Sequence, residues 1–499
     1  MKKILSIACL LLRQEMGLIS MVGRGLRTRR GGGSRTPRPT WRKSPPLIAA
    51  SIVAVALVAI LPLRTRGSAS LPCSVRQNWP WDAKVFIDVT MPAGTNDLQV
   101  MASFNNNGAH HEIELTTRNG LSSSPYCLAG GTYRLTWNPA AGGYTGAITD
   151  LNISTTTFTA NERAWLVIDI ATGAHEFVAL GDEPKDANGK PWQDNQYKLS
   201  KMVFRRIPAG TFTRGYTTAE KDYIKGLERG GTSKMLTAAE VTLTSDYYIT
   251  IYQATRGQIA RLVGNSTYLT TMTPDAGIVC AAGAECFQRG SNSVEGINWP
   301  VTKFAVTTNS IIGRFRARCD NKFWIDLPTS AQWQRAARPD TQWLFYDTSS
   351  YPDGMTGGKV GDSFDTITNI IARISNGYTN YVTQSNSYNP PPTPGLYLPN
   401  SYGLYDLIGS RQEFLLDNWD GSESATASAG VDPVGLQQST TRMVHNSFNN
   451  LGTISNWSIA YAGTMPSDRE HNSNFEYCYR YVIHLQPPQS FGGKWVNEE

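Results

Sequence analysis

Charged residues make up only 17% of this 499-residue chain, and cysteine occurs seven times without a single CxxC pair. The missing pair speaks against a structural zinc site, because such sites usually draw two thiolates from one tight turn. No GxSxG, P-loop, HExxH or Gly-rich dinucleotide fingerprint is present, so the signatures of α/β-hydrolases, nucleoside triphosphatases, zincins and Rossmann enzymes are all missing. An HxxxHxE iron triad is also absent, since His110, His111, His175, His445, His471 and His484 are scattered. Glycosidic chemistry needs two carboxylates facing each other across a cleft. Asp362 with Asp365, and Asp417 with Asp420, are merely close in sequence. No basic stripe interleaved with aromatics runs through the chain, so no nucleic-acid partner is expected.

What is abundant is 45 glycines, 27 prolines and 10% aromatic residues, the composition of a loop-rich globular protein. At roughly 100–200 residues per domain, the length predicts two or three folded units. Much of the net charge of +6 sits in the first 66 residues, where Arg24, Arg27, Arg29, Arg30, Arg35, Arg38, Arg42 and Lys43 cluster. Behind them Leu47–Leu63 is an uncharged apolar run, followed by Arg64 and Arg66 and the small residues Gly67–Ser70. This pattern predicts an export signal or a short anchor: about 17 residues is marginal for a membrane span, and the small residues could be a cleavage site. Either way the basic flank stays cytoplasmic and the remainder is exported, to the periplasm, the cell surface or the medium. The membrane is therefore expected to be met only through this N-terminal segment. After Cys9 an even set remains, Cys73, Cys127, Cys280, Cys286, Cys319 and Cys478, which permits disulfides without fixing their connectivity. Cys73 with Cys127, and Cys280 with Cys286, are the local pairings.

From Val75 to Asp182 the pattern is β. Short β-branched or alternating runs stand at Lys84–Met91, Leu98–Phe104, Glu112–Thr116, Tyr133–Trp137 and Trp165–Ile170, the spacing of a small sandwich over residues 71–182. Neighbouring residues on a strand point to opposite faces, so His110 and His111 are not expected to share a metal ion. The polar stretch 183–200 reads as a linker. A second domain follows over 201–485, with a tail at 486–499. In it, helical apolar spacing starts after Thr255 and again after Thr329, and each threonine is placed to cap its helix.

The second domain carries a series of motifs in order. They are Ile207-Pro208-Ala209-Gly210-Thr211-Phe212 with Gly215; Gln253-Ala254-Thr255 with Gln258; Asp326-Leu327-Pro328-Thr329-Ser330-Ala331-Gln332-Trp333-Gln334-Arg335-Ala336-Ala337-Arg338; Gly403-Leu404-Tyr405-Asp406-Leu407-Ile408-Gly409-Ser410-Arg411-Gln412-Glu413-Phe414; Asp432-Pro433-Val434-Gly435; and, more loosely, Arg442–Phe448 and Tyr479-Arg480-Tyr481-Val482. Together they resemble the formylglycine-generating, or sulfatase-modifying-factor, family over about 201–485. The resemblance implies an α+β, C-type-lectin-like, loop-rich domain, here preceded by the small all-β sandwich.

The resemblance also implies a structural calcium site on the turn 406–413, with side-chain oxygens from Asp406 and Glu413 and carbonyls from Gly409 and Arg411, donors of the kind a hard cation takes. It does not carry the reaction over. Copper-dependent members use two nearby cysteines, soft ligands for monovalent copper, and the matching stretch Ser447–Trp457 has none. Copper is therefore not expected, and Cys478 lies too close to the closing Tyr479-Arg480 element to replace the pair. The reading that follows is an exported scaffold acting as a binding or structural module for a protein or carbohydrate ligand. Its groove candidates are His445, Asn449, Asn450, Trp457 and Tyr461, because polar and aromatic side chains make adaptable contacts. The alternatives are an active oxidoreductase on a protein thiol, or another enzyme on the same fold.

Overall fold

The first strands overlap the β-branched runs of the sequence, and they form two sheets. In the computed structural model the described residues are 69–70, 73–77, 85–90, 97–114, 116–117, 126–127, 132–139, 143–144, 148–227, 235–264, 311–339, 342–376, 394–409, 412–418, 429–434, 441–445, 463–466 and 477–485. The apolar run 47–63 and the pair Cys280 and Cys286 lie outside them, as do the side chains of Cys73 and Cys127. Among the described residues no helix is long and apolar enough to cross a membrane.

In one sheet, Asp97–Asn106 pairs antiparallel with Ile148–Phe158 and with Ala109–Glu114. Asn107 and Gly108 both take positive φ, 52° and 84°, which a two-residue hairpin requires and which Asn-Gly supplies at least cost. In the other sheet, Val85–Thr90 lies between Cys73–Gln77 and Thr132–Trp137. The rings of Phe104 and Trp137, one from each sheet, stand 4.6 Å apart. His111 turns inward to stack on Phe104 at 5.4 Å while His110 is exposed, so the two histidines point apart as strand alternation demands.

The larger part is built on a six-stranded antiparallel sheet. Its strands are β1 (Trp165–Asp169), β2 (His175–Val178), β3 (Lys201–Ile207), β4 (Tyr247–Thr250), β5 (Trp324–Asp326) and β6 (Val482–His484), in spatial order β2-β1-β3-β4-β6-β5. Here the structure moves a boundary. Trp165–Asp169, grouped above with the preceding sandwich, hydrogen-bonds along its whole length to β3, Trp165 opposite Arg205 and Asp169 opposite Lys201. An apolar strand pattern states that a partner exists and not which one. The stretch 183–200 is likewise packed and not a free linker: α1 (Gln196–Leu199) lies in it, and Trp192, 2% exposed, meets Trp165 edge-on at 5.6 Å.

Both faces of the sheet are covered, which is why β4 is buried at all four positions. On one face Tyr247 and Ile249 pack with α5 (Ser330–Ala337) and α6 (Phe364–Ile374) through Trp333, Ala336, Ile367 and Ile370. On the other, Tyr248 packs with α3 (Arg256–Val263) and α4 (Ile311–Arg318) through Ile259, Leu262 and Phe315. Three helices start on a complete capping box. Thr255 with Gln258 and Thr329 with Gln332 do so at the two expected caps, and Thr217 with Glu220 opens α2 (Thr218–Gly226). In each box the threonine oxygen takes the third backbone N–H while that residue's side chain takes the threonine's own, satisfying two orphan donors.

Candidate functional site

Four of the sequence motifs converge on one buried carboxylate. Glu413 stands on the strand Gln412–Asn418, which is held between Thr441–His445 and Tyr477–Tyr479. Gln253 Nε2 donates to its Oε1 at 2.8 Å and Trp333 Nε1 to its Oε2 at 2.7 Å. Arg480 Nε reaches both oxygens at 3.0 Å. The two ion-pair partners are completely buried. The rest of the Arg480 fork is also engaged: Nη1 donates to the carbonyls of Thr250 and Ile251, at 3.1 and 2.8 Å, and Nη2 to that of Tyr405. A buried ion pair is sustained only when its remaining donors and lone pairs are met in this way.

This arrangement corrects the calcium expectation at Glu413. A hard cation needs oxygens whose lone pairs are free, whereas a guanidinium and two neutral N–H donors already hold both oxygens here. The carboxylate's positive partner is Arg480, and Glu413 does not fit the role of a calcium ligand. Asp406 has a different hydrogen-bond partner, although the charge of Glu413 reaches it. It is buried, takes a left-handed φ of 56°, and its Oδ2 accepts from the Gly395 N–H at 2.7 Å. Burial raises its pKa, offset in part by that hydrogen bond and by the charges of Arg480 and Lys198. Gly409 sits in the short strand Ile408–Gly409, paired parallel with Ser375–Asn376. Arg411 lies outside the described residues, and among those described no group of three or more His, Cys, Asp or Glu side chains could hold a metal ion.

The groove candidates divide in the same way. His445 is 0% exposed, so it is an interior group and not a ligand contact. Its Nε2 lies 2.7 Å from Ser330 Oγ, and its ring packs on Trp333 at 4.8 Å. Asn449, Asn450, Trp457 and Tyr461 lie outside the described residues.

A second interior histidine, His484, gives a pH prediction. Gln332 Oε1 accepts from the Thr329 N–H at 2.9 Å in the capping box, which turns the amide NH2 toward His484 Nε2, also at 2.9 Å. An amide NH2 only donates, so the ring nitrogen accepts and the imidazole is neutral. Burial lowers its pKa to about 4, against the weaker opposing pull of Asp432 and Asp326. The unfolded ring binds a proton near pH 6.5 and the folded one does not, so stability falls as pH drops through the window from about 6.5 to 4. The full loss is about 3 kcal/mol at 1.36 kcal/mol per unit. Urea midpoints at pH 7 and pH 4.5 measure it, and His484→Gln is expected to flatten that part of the profile. Equal pH profiles for the two proteins would refute the assignment.

A cleft of about 230 Å³ opens elsewhere, lined among others by Trp165, Glu183, Lys185, Arg205, Tyr351 and Tyr402. None of these residues stood out in the sequence. One signal was there: Arg205 and Arg206 are adjacent on β3, so they must face opposite sides of the sheet. Arg206 meets Asp246 at 2.7 Å, and Arg205 enters the cleft. The turn before Tyr405 closes the cleft from the other side. Asn400 fastens it, donating to Ala336 O at 2.7 Å and accepting from the Leu404 N–H at 3.0 Å. Gly403 there takes φ +81°, and a Cβ on it would lie 2.7 Å from Trp165 Cη2, so only glycine fits.

Fold and site therefore define a mixed α+β domain organised around a locked Glu413–Arg480 pair, and the thiols described in it, Cys319 and Cys478, are buried. A model of the sulfatase-modifying factor enzyme 1-like domain matches residues 188–456, more than half of the chain. The chain belongs to that family, and its domain has the family's C-type-lectin-like α+β fold. Solved structures similar to it include PvdO from Pseudomonas aeruginosa, at 16% identity over 56% of this chain and 94% of that one, with a TM-score of 0.36. Treponema denticola variable protein 1 is 14% identical over 56% and 95%, with a TM-score of 0.37. CarF is 15% identical over 56% and 96%, with a TM-score of 0.29. No curated protein matches the chain.

Proposed function

We propose that this chain is an exported binding protein, which uses a sulfatase-modifying-factor scaffold without the cysteine chemistry of the copper-dependent members. The observation that carries the reading is the state of its thiols. Cysteine is absent from Ser447–Trp457, and among the described residues Cys319 and Cys478 are buried in the core. Burial pushes the Cys319 thiol up to about 12, and Cys478 Sγ donates to the Ala254 carbonyl at 3.4 Å inside the same apolar cluster. Reactive or metal-binding cysteines need the opposite setting, partly exposed and with the thiolate favoured. The surface that meets a protein or carbohydrate ligand lies in the Asn-, Ser- and Tyr-rich stretch that opens at His445, before the buried residues Cys478–Tyr481, with Trp457 and Tyr461 as its anchors. Residues 47–63 direct export, either as a cleaved signal or as an anchor.

Two measurements test the reading. Purified protein titrated with copper(I) and incubated aerobically with a cysteine-containing peptide is expected to bind no stoichiometric copper and to form no aldehyde. Stoichiometric copper together with peptide oxidation would overturn the proposal in favour of an oxidoreductase. On a glycan and peptide array, Trp457→Ala and Tyr461→Ala are each expected to abolish the ligands that the unaltered chain retains. Retention unchanged in both variants would remove that stretch from the binding surface.

A further inference from the structure

Four buried arginines of this domain are met by a carboxylate, whereas Arg163 and Arg214 donate to the Gln99 amide oxygen and the Thr237 carbonyl. Arg206 has Asp246 at 2.7 Å, Arg316 has Asp326 at 3.4 Å, Arg338 has Glu220 at 2.7 Å and Arg480 has Glu413 at 3.0 Å. Arg205 is only partly buried, and among the described residues it forms no ion pair. Its guanidinium lies over the Trp165 ring at 4.7 Å, with the Tyr402 ring at 5.9 Å. It makes one hydrogen bond, from Nη1 to the Ala164 carbonyl at 3.2 Å, and its buried Nε has no acceptor. Enough water is removed that burial lowers its pKa.

A carboxylate is nearby, but it is already committed. Glu183 Oε2 accepts from Trp165 Nε1 at 3.1 Å and from the Gly181 N–H at 2.7 Å, while Oε1 pairs with Lys185 at 3.1 Å. The cleft thus holds two cations and one anion, and the charge left over belongs to Arg205. A partly desolvated cation lacking an anion is costly to keep. A planar guanidinium suits a carboxylate or a phosphate better than a spherical anion.

We propose that this cleft binds a small organic monocarboxylate, which the Arg205 guanidinium grips. A single negative charge balances the single surplus positive one, whereas a dianion would press a second charge against Glu183. At about 230 Å³ the space is smaller than the roughly 300–1,000 Å³ of clefts that hold drug-sized molecules. It suits one sugar ring or a short peptide end. Tyr351, Tyr402, Pro352 and the half-exposed Leu180 give the organic part of the ligand apolar and aromatic surface. Gly189 in the lining, with open space where a Cβ would stand, lets it approach the backbone. None of the lining residues belongs to the stretch after His445 that the binding reading invokes, so either can fail without the other.

Isothermal titration of the purified full chain tests it with sodium glucuronate, N-acetylglycylglycine, glucose and inorganic phosphate. At least one of the two carboxylates is expected to bind, glucose not at all, and phosphate more weakly than the better carboxylate. Which carboxylate binds distinguishes a uronate from a peptide end. Arg205→Met is expected to weaken binding at least tenfold. Because Arg205 packs on Trp165, a second variant, Ser401→Trp, fills the cleft from its exposed rim. It is expected to abolish binding with an unchanged thermal midpoint. No binding by either carboxylate, phosphate binding as tightly as the better one, or affinity unchanged in both variants would each overturn the proposal.

Discussion

Glu413→Gln is expected to cost about 3–5 kcal/mol of folding stability, the range measured when one partner of a buried ion pair is removed and its charge is left uncompensated. The substitution keeps the shape of the side chain. It turns one acceptor oxygen into an NH2 group facing donors, and it leaves the buried Arg480 guanidinium without a negative charge. Gln253 Nε2 and Trp333 Nε1 then compete for a single oxygen. Against a total stability of roughly 5–15 kcal/mol for a domain, a loss of this size leaves the fold marginal. Urea unfolding of Glu413→Gln, Arg480→Met and the double variant forms a cycle that isolates the pair. The coupling is expected to be large, with the double variant less destabilised than the sum of the singles. It is not expected to restore the parent, because Arg480 also serves the carbonyls of Thr250, Ile251 and Tyr405. Simple additivity would mean that the two groups are not an energetic unit.

Trp333→Ala is expected to have a comparable effect, about 3–5 kcal/mol, from the cavity that a deleted core indole leaves. Trp333 is fully buried on the inner side of α5, against the sheet on one side and the His445 ring on the other. Trp333→Phe separates two contributions. Phenylalanine keeps much of the volume but removes the Nε1–H that meets Glu413, so about 1–3 kcal/mol is expected for the acceptor left short of a donor. Chemical denaturation of both variants reads the difference. A phenylalanine variant as stable as the parent would show that the indole is only filling space.

Those residues also show how far the sequence could be read. The caps at Thr255 and Thr329 were legible because a capping box is local: the threonine and the glutamine three positions on satisfy each other within one turn, whatever packs outside. The alternating strands of the first region were legible for the same reason. The assignment of Trp165–Asp169 was not, since its partner Lys201–Ile207 begins more than 30 residues later and strand periodicity carries no address. Glu413 was recognised but given the wrong partner. The family resemblance implies a calcium ligand at this position, and only the fold brings in Arg480, 67 residues further on. His445 was placed among the groove candidates because nothing local records that Ser330 and Trp333 enclose it.

The cleft around Arg205 lies at the far end of that scale. Its lining comes from positions between Trp165 and Gly403, so no window of sequence contains it. By itself the sequence determined the family, the loop-rich α+β character, the caps and the absence of the cysteine pair, because each is a property of residue type and short spacing. Tertiary structure alone decided which cation faces Glu413, which histidines are interior, and which arginine is left facing a cleft, because each depends on segments far apart in the chain meeting in the folded state.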